Sequence, residues 1–326
     1  MTIQVKARVW KTFLSAVLLA TACSSALAQY PDRPIKFVLP FPPGGAVDVV
    51  TRLVAERMAA NLGKPIVIES KPGAGGIIAT DAVAKADKDG YTLLIATPNH
   101  TINAALNSKL PYDTEKDLAP VSILAEVPEV LVSHPSAPFT DFKGFVDYAK
   151  ANPGKLNYSS AGNGTLPHIT MELLLKQTGT QVAHIPYRGA APAMTDLLAG
   201  VVQLKMDTYA TANQHVAAGK LRNIAYAARS RSPLMPNVPT VAEMGLPGYE
   251  GILWIGLIAP AGTPQAVLDK LSASAARAVK VPALLERFKK DGVDAVGGTS
   301  EAFVAQIKRE IPQWRDVAAS SNIRIE

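Results

Sequence analysis

The sequence has almost no cysteine. Among its 326 residues the one thiol is that of Cys23, close to the N-terminus, so the chain beyond it has no thiol and no disulfide. This excludes nucleophilic cysteine chemistry and cysteine-ligated zinc or iron–sulfur sites from that part of the chain. About 300 residues without a disulfide must be held by an ordinary hydrophobic core, and they are enough for two domains.

The sequence also lacks a run of about 20 apolar residues, the length that crosses a bilayer. The apolar run at 13–22 is short and follows three basic residues, Lys6, Arg8 and Lys11. Ala26-Leu27-Ala28 then supplies the small-x-small pattern that signal peptidase reads. The sequence therefore predicts a signal peptide over residues 1–28, cleaved at its end, and the periplasm of a Gram-negative bacterium as the compartment.

Two other interpretations of this leader stay open. An uncleaved membrane anchor would need a longer apolar run. A lipoprotein would carry its lipid on Cys23, but Ala20 stands where lipobox patterns usually have leucine. The second interpretation is therefore disfavoured relative to a cleaved signal peptide.

A strong charge of one sign is also absent. The formal net charge is +6, and removal of the three basic leader residues lowers it to +3. No run of Lys and Arg interleaved with aromatic residues is present, so the pattern argues against nucleic acid as a partner. A mild positive excess is compatible with small anionic ligands.

Motifs of enzymes and metal sites are missing as well. The sequence has no Gly-x-Ser-x-Gly elbow and no His-Glu-x-x-His helix. The turn at 73–76 matches neither the dinucleotide nor the P-loop pattern, because Ile78 replaces a third glycine and no Gly-Lys-Ser/Thr follows. No metal and no cofactor is therefore expected. A Ser/His/Asp catalytic triad built from distant positions stays open as an alternative. Five histidines show no metal-ligand spacing: His100, His134, His168, His184 and His215.

Strand-like and helix-like segments alternate along the chain. A predicted strand at 35–39 leads to a predicted helix at 48–62, which Gly63 ends, and a strand at 91–96 ends before Thr97. Alternation of this kind with short loops predicts an α/β fold with mostly parallel strands. Ligands bind to such sheets beyond the carboxyl ends of the strands.

Two β-rich stretches, 121–133 and 251–259, look like crossovers between two lobes. Lobe one would comprise residues 30–125 plus 255–326, and lobe two would comprise residues 126–254. Two crossovers would form a hinge, and the cleft between the lobes is the natural ligand site.

Two loops at strand ends are rich in glycine. The first loop (residues 41–48, Phe-Pro-Pro-Gly-Gly-Ala-Val-Asp) leads into the helix at 48–62, and the second loop (residues 159–165, Ser-Ser-Ala-Gly-Asn-Gly-Thr) leads into a predicted helix at 167–178. The first N–H groups of a helix have no partner, and the helix dipole favours negative charge beside them. The two loops therefore predict a clamp that holds an anion from two sides.

An ordered set of motifs resembles the Bug-type receptors of tripartite tricarboxylate transporters. The resemblance starts at Tyr30-Pro31-Asp32-Arg33-Pro34-Ile35, continues through the first loop and covers nearly the whole mature chain. Any one motif is weak, but their order is specific. Further matches are Lys71–Gly76, Asp89–Leu94, Gly162–Thr165 with His168, Ile185–Gly189, Leu198–Gly200 and Asn237–Thr240.

The resemblance implies a type II periplasmic binding fold, which is α/β with two lobes and a hinge of two crossover segments. It also implies that the lobes close on a small organic carboxylate, which main-chain and hydroxyl groups of both lobes hold. The receptor, expected to be a monomer, would deliver this ligand to the membrane subunits of a tripartite transporter. The ligand contacts expected from the matching positions are Phe41, Gly44, Gly45, Ala46, Asp48, Thr97, Pro98, Ser160, Gly162, Asn163, Thr165, His168, Tyr187, Gly189, Ala190 and Asp207.

Several of these residues have two interpretations. Asp48 either caps its helix or meets a ligand amine, and its carboxylate would repel an anion unless it points away. Thr165 either donates its hydroxyl to a carboxylate or is a plain N-cap. His168 either bonds the ligand or braces the second loop. Asp207 either fixes a ligand amine or hydroxyl, or holds a loop.

Two further functions stay open on the sequence alone. One is a periplasmic enzyme with the same two-lobed fold, and the other is a ligand sensor for a membrane signalling protein. The ligand also stays open among di- and tricarboxylates, amino acids and aromatic acids.

Overall fold

The computed structural model describes residues 30–321 and residue 323. The predicted signal peptide and Cys23 lie outside these residues. The described part of the chain has ten α-helices: α1 Ala46–Leu62, α2 Ile77–Ala84, α3 Asn99–Leu106, α4 Phe142–Ala151, α5 Leu166–Thr178, α6 Ala190–Leu198, α7 Tyr209–Ala217, α8 Gln265–Ala278, α9 Pro282–Asp291 and α10 Ser300–Ser320. It has ten strands: β1 Ile35–Leu39, β2 Ile66–Ser70, β3 Thr92–Ala96, β4 Leu118–Ser133, β5 Asn157–Ser160, β6 Ala183–Pro186, β7 Leu204–Thr208, β8 Arg222–Ala227, β9 Ile252–Pro260 and β10 Asp294–Ala295.

The strands join in the order β2-β1-β3-β9-β4-β7-β5-β6, and both β8 and β10 pair with β4. Strands β1, β2 and β3 are parallel, as are β5, β6 and β7, whereas β9 runs antiparallel to β3 and β4. The first part of β4 pairs with β9 from Leu118 to Pro128, and its last part pairs with β7 and β8 from Glu129 to Ser133. This long strand therefore connects a first strand group (β1, β2, β3, β9, β10) to a second strand group (β5, β6, β7, β8).

Helices cover both faces of the first strand group, so its strands are nearly continuous apolar runs. In β3, Leu93 and Ile95 point into a core with α1, α8 and α9, while Leu94 and Ala96 point into an opposite core with α2 and α10. The second strand group is enclosed in the same way, by α4 and α5 on one face and by α6 and α7 on the other. The α/β architecture expected from the alternating pattern is confirmed. The expectation of mostly parallel strands is wrong, because every pair that involves β4 or β9 is antiparallel.

Helix α10 contributes to the cores of both strand groups. Phe303 and Ile307 pack against the first group, and Trp314 and Val317, two to three turns further on, belong to the core of the second. A helix of 21 residues is about 30 Å long, which is enough to reach both cores. The predicted lobe division places all of 255–326 in lobe one; that division stays a prediction, and α10 is the element that it does not describe well.

Two helices of the structure were not predicted from the sequence. Helix α3 begins at Asn99, shortly after the strand predicted at 91–96, where no helix was predicted. Helix α7 follows β7 directly, with no turn residue between them. Helix α1 begins at Ala46, two residues before the predicted start, because Gly45 is its N-cap with extended backbone angles. This places Ala46 at the first helical position.

In the part of the chain that the structure describes, no helix is both long enough and apolar enough to cross a membrane.

Candidate functional site

The carboxyl ends of the parallel strands bring three loops of the first strand group together. The backbone of Gly76, after β2, lies against Pro40, after β1, so closely that a Cβ on Gly76 would meet Pro40 Cβ at 3.3 Å. The carbonyl oxygen of Gly75 accepts a hydrogen bond from Asn103 Nδ2 (3.0 Å) in α3, which follows β3. The loops after β1, β2 and β3 thus form one edge of the molecule.

The first loop presents free main-chain donors at this edge. Within residues 30–321, no acceptor lies in hydrogen-bonding range of the N–H groups of Ala46, Val47 and Asp48; the first intrahelical bond of α1 runs from Val49 N to Gly45 O (3.0 Å). Unpartnered N–H groups at the positive end of a 17-residue helix are a candidate anion site. Phe41 packs against the core below this loop.

Asp48 is turned away from these donors. Its Oδ2 accepts a hydrogen bond from Gly44 N (2.9 Å), and its Oδ1 forms an ion pair with Arg52 Nε (2.9 Å). Burial pushes the pKa of Asp48 up, but the hydrogen bonds from Arg52 and Gly44 outweigh burial and hold the pKa below its usual range. The carboxylate therefore braces the loop, and Arg52 offsets its charge beside the anion site.

The second loop uses most of its donors internally. The N–H of Gly162 bonds Ser160 Oγ (3.1 Å), that of Gly164 bonds His168 Nδ1 (3.0 Å), and that of Thr165 bonds Gly162 O (3.3 Å). The hydroxyl of Thr165 also donates to Gly162 O (2.7 Å), so it is engaged in the loop rather than free. The two sides of the predicted clamp thus differ: the first loop has free N–H groups, whereas most N–H groups of the second loop are hydrogen-bonded within it.

Free donors also remain in the second loop and at the start of α5, within the described chain. No acceptor is in range of the N–H of Ala161, of Asn163 or of Leu166, the first residue of α5. Helix α5 has Pro167 at its second position, which has no N–H, so Leu166 provides the one free donor of its first turn. Asn163 and Leu166 therefore flank Thr165 as outward donors.

Three aromatic rings form a column under the second loop. The rings of His168 and His184 stack with centroids 4.0 Å apart and planes 9° apart, and Tyr158 stacks on the other face of His184 at 4.8 Å. His184 Nε2 lies 2.6 Å from Ser160 Oγ. Burial lowers the pKa of His168 to about 3, with a further contribution from His184, and lowers the pKa of His184 to about 4.

The loop after β6 lies against the second loop. The N–H of Tyr187 bonds Ser160 O (3.1 Å) and the N–H of Gly189 bonds Ala161 O (3.2 Å). The phenol of Tyr187 donates to Asp196 Oδ2 (2.6 Å), and burial and this carboxylate raise the pKa of Tyr187 to about 12. Ala190, the first residue of α6, follows directly.

Asp207 is held by its own neighbours. Its Oδ1 accepts hydrogen bonds from Thr208 N and Thr211 Oγ1, both 2.8 Å, and its Oδ2 pairs with Lys205 Nζ at 2.8 Å. Lys205 is fully buried, so this pair satisfies a cation that would otherwise be isolated. These contacts favour the interpretation that Asp207 holds a loop; ligand contact stays a prediction.

Comparison with known proteins places the chain in a family. A family model described as tripartite tricarboxylate transporter family receptor (TctC) matches residues 50–323. The chain belongs to this family. It is 38% identical over 307 residues to a UPF0065 protein in the tcbD-tcbE intergenic region of Pseudomonas sp. (strain P51), covering 93% of this chain and 91% of that one. It is 34% identical over 315 residues to BugT of Bordetella pertussis, covering 95% and 97%. The Bug-type resemblance is therefore confirmed.

Solved structures of similar proteins confirm the two-lobed periplasmic binding fold. A Rhodopseudomonas palustris protein with adipate superposes with a TM-score of 0.83 at 32% identity, over 90% of this chain and 99% of that chain. MatC from Rhodopseudomonas palustris with bound malate superposes with a TM-score of 0.79 at 34% identity, over 88% and 99%. The chain is thus a solute-binding receptor of the periplasm and not an enzyme.

For this TctC-family receptor, the sequence missed two residues of the site. The pairing of Arg52 with Asp48 could have been predicted from the sequence, because residues four apart on a helix lie next to each other. No local sequence pattern indicates the role of His184, because its contact with Ser160 depends on the register of β5 against β6.

Thr97 and Pro98 lie where β3 ends, and His100 N bonds Thr97 O (2.8 Å) as α3 begins.

One cavity lies away from the predicted contacts. It has a volume of about 490 Å³, lies beside the crossover strands, and is lined by Glu126, Tyr226, Arg229, Leu234, Leu285 and Phe288 among others. None of the predicted ligand contacts lines it. In residues 30–321 and 323, no group of three or more His, Cys, Asp or Glu side chains is placed to hold a metal ion.

Proposed function

We propose that this receptor captures a small organic carboxylate at the N-terminus of α1 and delivers it to the membrane subunits of a tripartite tricarboxylate transporter. The observation that carries the proposal is the row of free N–H groups at Ala46, Val47 and Asp48. Such groups, aligned with a helix dipole, bind a carboxylate with charge-assisted hydrogen bonds. Arg52 supports the proposal, because its pairing with Asp48 offsets the negative charge nearest to the ligand.

The second strand group supplies the opposite wall in this proposal. Its free donors are the N–H groups of Ala161 and Asn163 on the second loop and of Leu166 at the start of α5, and Gly189, just before α6, bonds Ala161 O (3.2 Å). When the lobes close about the crossovers, these donors reach the carboxylate that the first loop holds. Contacts available in the closed state alone shift the equilibrium toward closure. The remaining predicted contacts, including Phe41 as an apolar wall, belong to this same proposal.

A dicarboxylate is the first ligand to test. Two of the similar structures hold adipate and malate, and each of these ligands has a carboxylate at both ends. One carboxylate would lie on the first loop, and the other would lie toward the second loop. The chemistry of the middle of the ligand then sets specificity against the side chains of the pocket.

The first prediction removes one donor without disturbing the helix. Ala46→Pro deletes the N–H of the first helical position, where proline is well tolerated because that N–H makes no helical bond. We expect Ala46→Pro to fold normally and to lose roughly ten- to hundredfold in affinity, the value of one hydrogen bond to a charged group. The assay is calorimetry with malate and adipate, preceded by a melting-temperature screen of di-, tri-, amino and aromatic acids.

The matched control is Gln265→Pro, which removes the free N–H of the first position of α8, an exposed site at another helix start. Its affinity should equal that of the unchanged protein. If Ala46→Pro binds as tightly as Gln265→Pro, the helix terminus does not hold the ligand. If every carboxylate leaves the melting temperature unmoved while a neutral sugar raises it, the proposed ligand class is wrong.

A further inference from the structure

We infer that His168 and His184 are positioning residues of the second loop: their stacked rings fix its two glycines, and so decide which main-chain donors face the solute. The rings make this contact from below the loop, through His168 Nδ1 to Gly164 and through His184 Nε2 to Ser160. The consequence for the solute rests on the proposed function, whereas the placement of the loop by the two rings is independent of it.

The contact with Gly164 defines the chemical state of His168. A backbone N–H can donate but cannot accept, so Nδ1 of His168 must be the acceptor and carries no proton. The ring is therefore neutral, with its proton on Nε2. A doubly protonated ring would have no acceptor, and the hydrogen bond to Gly164 would be lost.

Through Ser160, His184 also supports the other glycine of the loop, Gly162. Ser160 Oγ lies 2.6 Å from His184 Nε2 and also accepts the N–H of Gly162 (3.1 Å). Gly162 and Gly164 have φ of 129° and 70°, in the region that glycine adopts readily. Such residues are the most flexible of the chain when free, so a loop that contains two of them needs an external hold.

The surroundings keep both rings neutral. His168 is 6% exposed, and the groups that face the column are Tyr158 on β5, which stacks on His184, and Glu172 on α5, which accepts from the Tyr158 hydroxyl (2.6 Å). Burial lowers the pKa of both histidines. The bond to Gly164 is thus kept at neutral and mildly acidic pH.

The functional consequence is a selection among donors. Because the N–H groups of Gly162, Gly164 and Thr165 are used inside the loop, those of Ala161, Asn163 and Leu166 stay free. Without the rings, the loop could turn other N–H groups outward, and the pocket would present a different pattern to its solute. Sequence reasoning left His168 open between ligand contact and brace; the geometry favours the brace.

Two substitutions separate hydrogen bonding from packing. His168→Asn keeps an acceptor close to the position of Nδ1 but loses the ring, whereas His168→Phe keeps a ring to stack on His184 but has no acceptor. Amide hydrogen exchange of Gly164 in the ligand-free protein is the readout. We expect exchange in His168→Phe to be about tenfold faster than in the unchanged protein, and His168→Asn to recover most of the protection.

A Gly164 amide that stays equally protected in His168→Phe would overturn the inference. So would a better-protected amide in His168→Phe than in His168→Asn, because packing would then be the whole role of the ring. A ¹⁵N spectrum of the unchanged protein gives a second test that needs no variant: it must show His168 protonated at Nε2, and a proton at Nδ1 would also overturn the inference.

Calorimetry with malate and adipate then connects the loop to the solute. We expect His168→Asn to bind more tightly than His168→Phe. If the unchanged protein binds neither these nor any other acid of the screen while the exchange result holds, the proposed function fails and the positioning of the loop stands. If the exchange result fails while carboxylates bind, the positioning of the loop by the histidines is wrong and the proposed function stands.

Discussion

At the scale of single residues, the second strand group holds an acid whose charge is strongly disfavoured. Glu129 is 1% exposed at the point where β4 leaves β9 for β7 and β8, and its Oε2 accepts a hydrogen bond from Thr170 Oγ1 (2.7 Å). Burial raises the pKa of Glu129 to about 8, and the opposing effects of Thr170 and Lys205 do not cancel it. Glu129 is thus protonated in the folded state at neutral pH.

This state predicts a dependence of stability on pH. The pKa of Glu129 in the folded chain lies above its ordinary value of about 4.3, so between these limits the folded state binds the proton that the unfolded state releases. Its contribution is complete at low pH and is lost as pH rises toward 8. Relative to Glu129→Gln, which can still accept from Thr170, we expect the unchanged protein to lose about 1 kcal/mol per pH unit over this window.

Urea denaturation from pH 5 to pH 8.5 measures the difference. The control is Glu56→Gln, whose side chain is 65% exposed on α1 and should leave the pH dependence unchanged. Parallel curves for the unchanged protein and Glu129→Gln would mean that the acid is ionised in the fold.

Residue chemistry was partly readable from the sequence. The first loop was predicted as an anion site because glycine, a strand end and a helix start follow one another locally. The internal bonds of Thr165 and the pairing of Lys205 with Asp207 were not predicted, because they depend on the direction of side chains within a folded loop or strand. Local patterns identify donors, whereas packing decides which of them stay free.

At the scale of elements, one glycine lets α10 lie on the sheet. Gly256 is in β9, and a Cβ at this position would overlap the ring of Phe303. Phe303 also packs edge-on against Trp254 of the same strand, with ring centroids 5.1 Å apart. The close approach of helix and strand therefore requires a residue without a side chain at 256.

Gly256→Ala should consequently destabilise the protein by about 1–3 kcal/mol through overpacking. The size of Phe303 is the cause, so Phe303→Leu should relieve part of the effect, and the double variant should be less destabilised than the sum of the two single ones. Thermal and urea unfolding of the four proteins give the coupling.

Gly298→Ala is the matched control, since a Cβ there would meet just Val296 Cγ1, at an ordinary 3.4 Å. Its stability should stay within about 0.5 kcal/mol of that of the unchanged protein. Strict additivity of Gly256→Ala and Phe303→Leu would exclude the proposed contact.

Most elements were predictable because their apolar period, caps and breakers are local. The strand at 35–39 has the same bounds in prediction and structure, and the helix predicted at 48–62 ends at the predicted residue. Helix α3 was missed because Thr97-Pro98-Asn99 has turn chemistry, yet α3 is held by its contacts with α10, among them Trp314 Nε1 to Thr101 Oγ1 (3.1 Å). Such distant contacts are invisible in the sequence.

At the scale of the whole molecule, the two strand groups share more than the crossovers. Ile102 of α3, with Trp314 and Val317 of α10, lies in the core of the second strand group although both helices also pack with the first. Glu310 joins the same contact, accepting hydrogen bonds from Thr101 Oγ1 (2.7 Å) and Trp254 Nε1 (3.0 Å). Any closure of the lobes must therefore bend or slide at this α3–α10 contact as well as at β4 and β9.

The contact also predicts how the molecule unfolds. Shared cores make the two strand groups unfold together, so fluorescence and far-UV circular dichroism should give one midpoint in the unchanged protein. Trp314→Ala removes the largest side chain of the α10 contact with the second core, and we expect a loss of about 3–5 kcal/mol. This variant also leaves Trp254, fully buried in the first strand group, as the sole tryptophan beyond residue 28.

Fluorescence of Trp314→Ala therefore reports on the first strand group, while circular dichroism reports on both. If α10 couples the groups, the two midpoints separate in urea, with the dichroism change beginning at lower concentration because the second group unfolds first. Trp314→Phe, which keeps most of the apolar contact, should show coincident midpoints. Coincident midpoints in Trp314→Ala would mean that β4 and β9 alone couple the two groups, and that α10 lies on the second core without stabilising it.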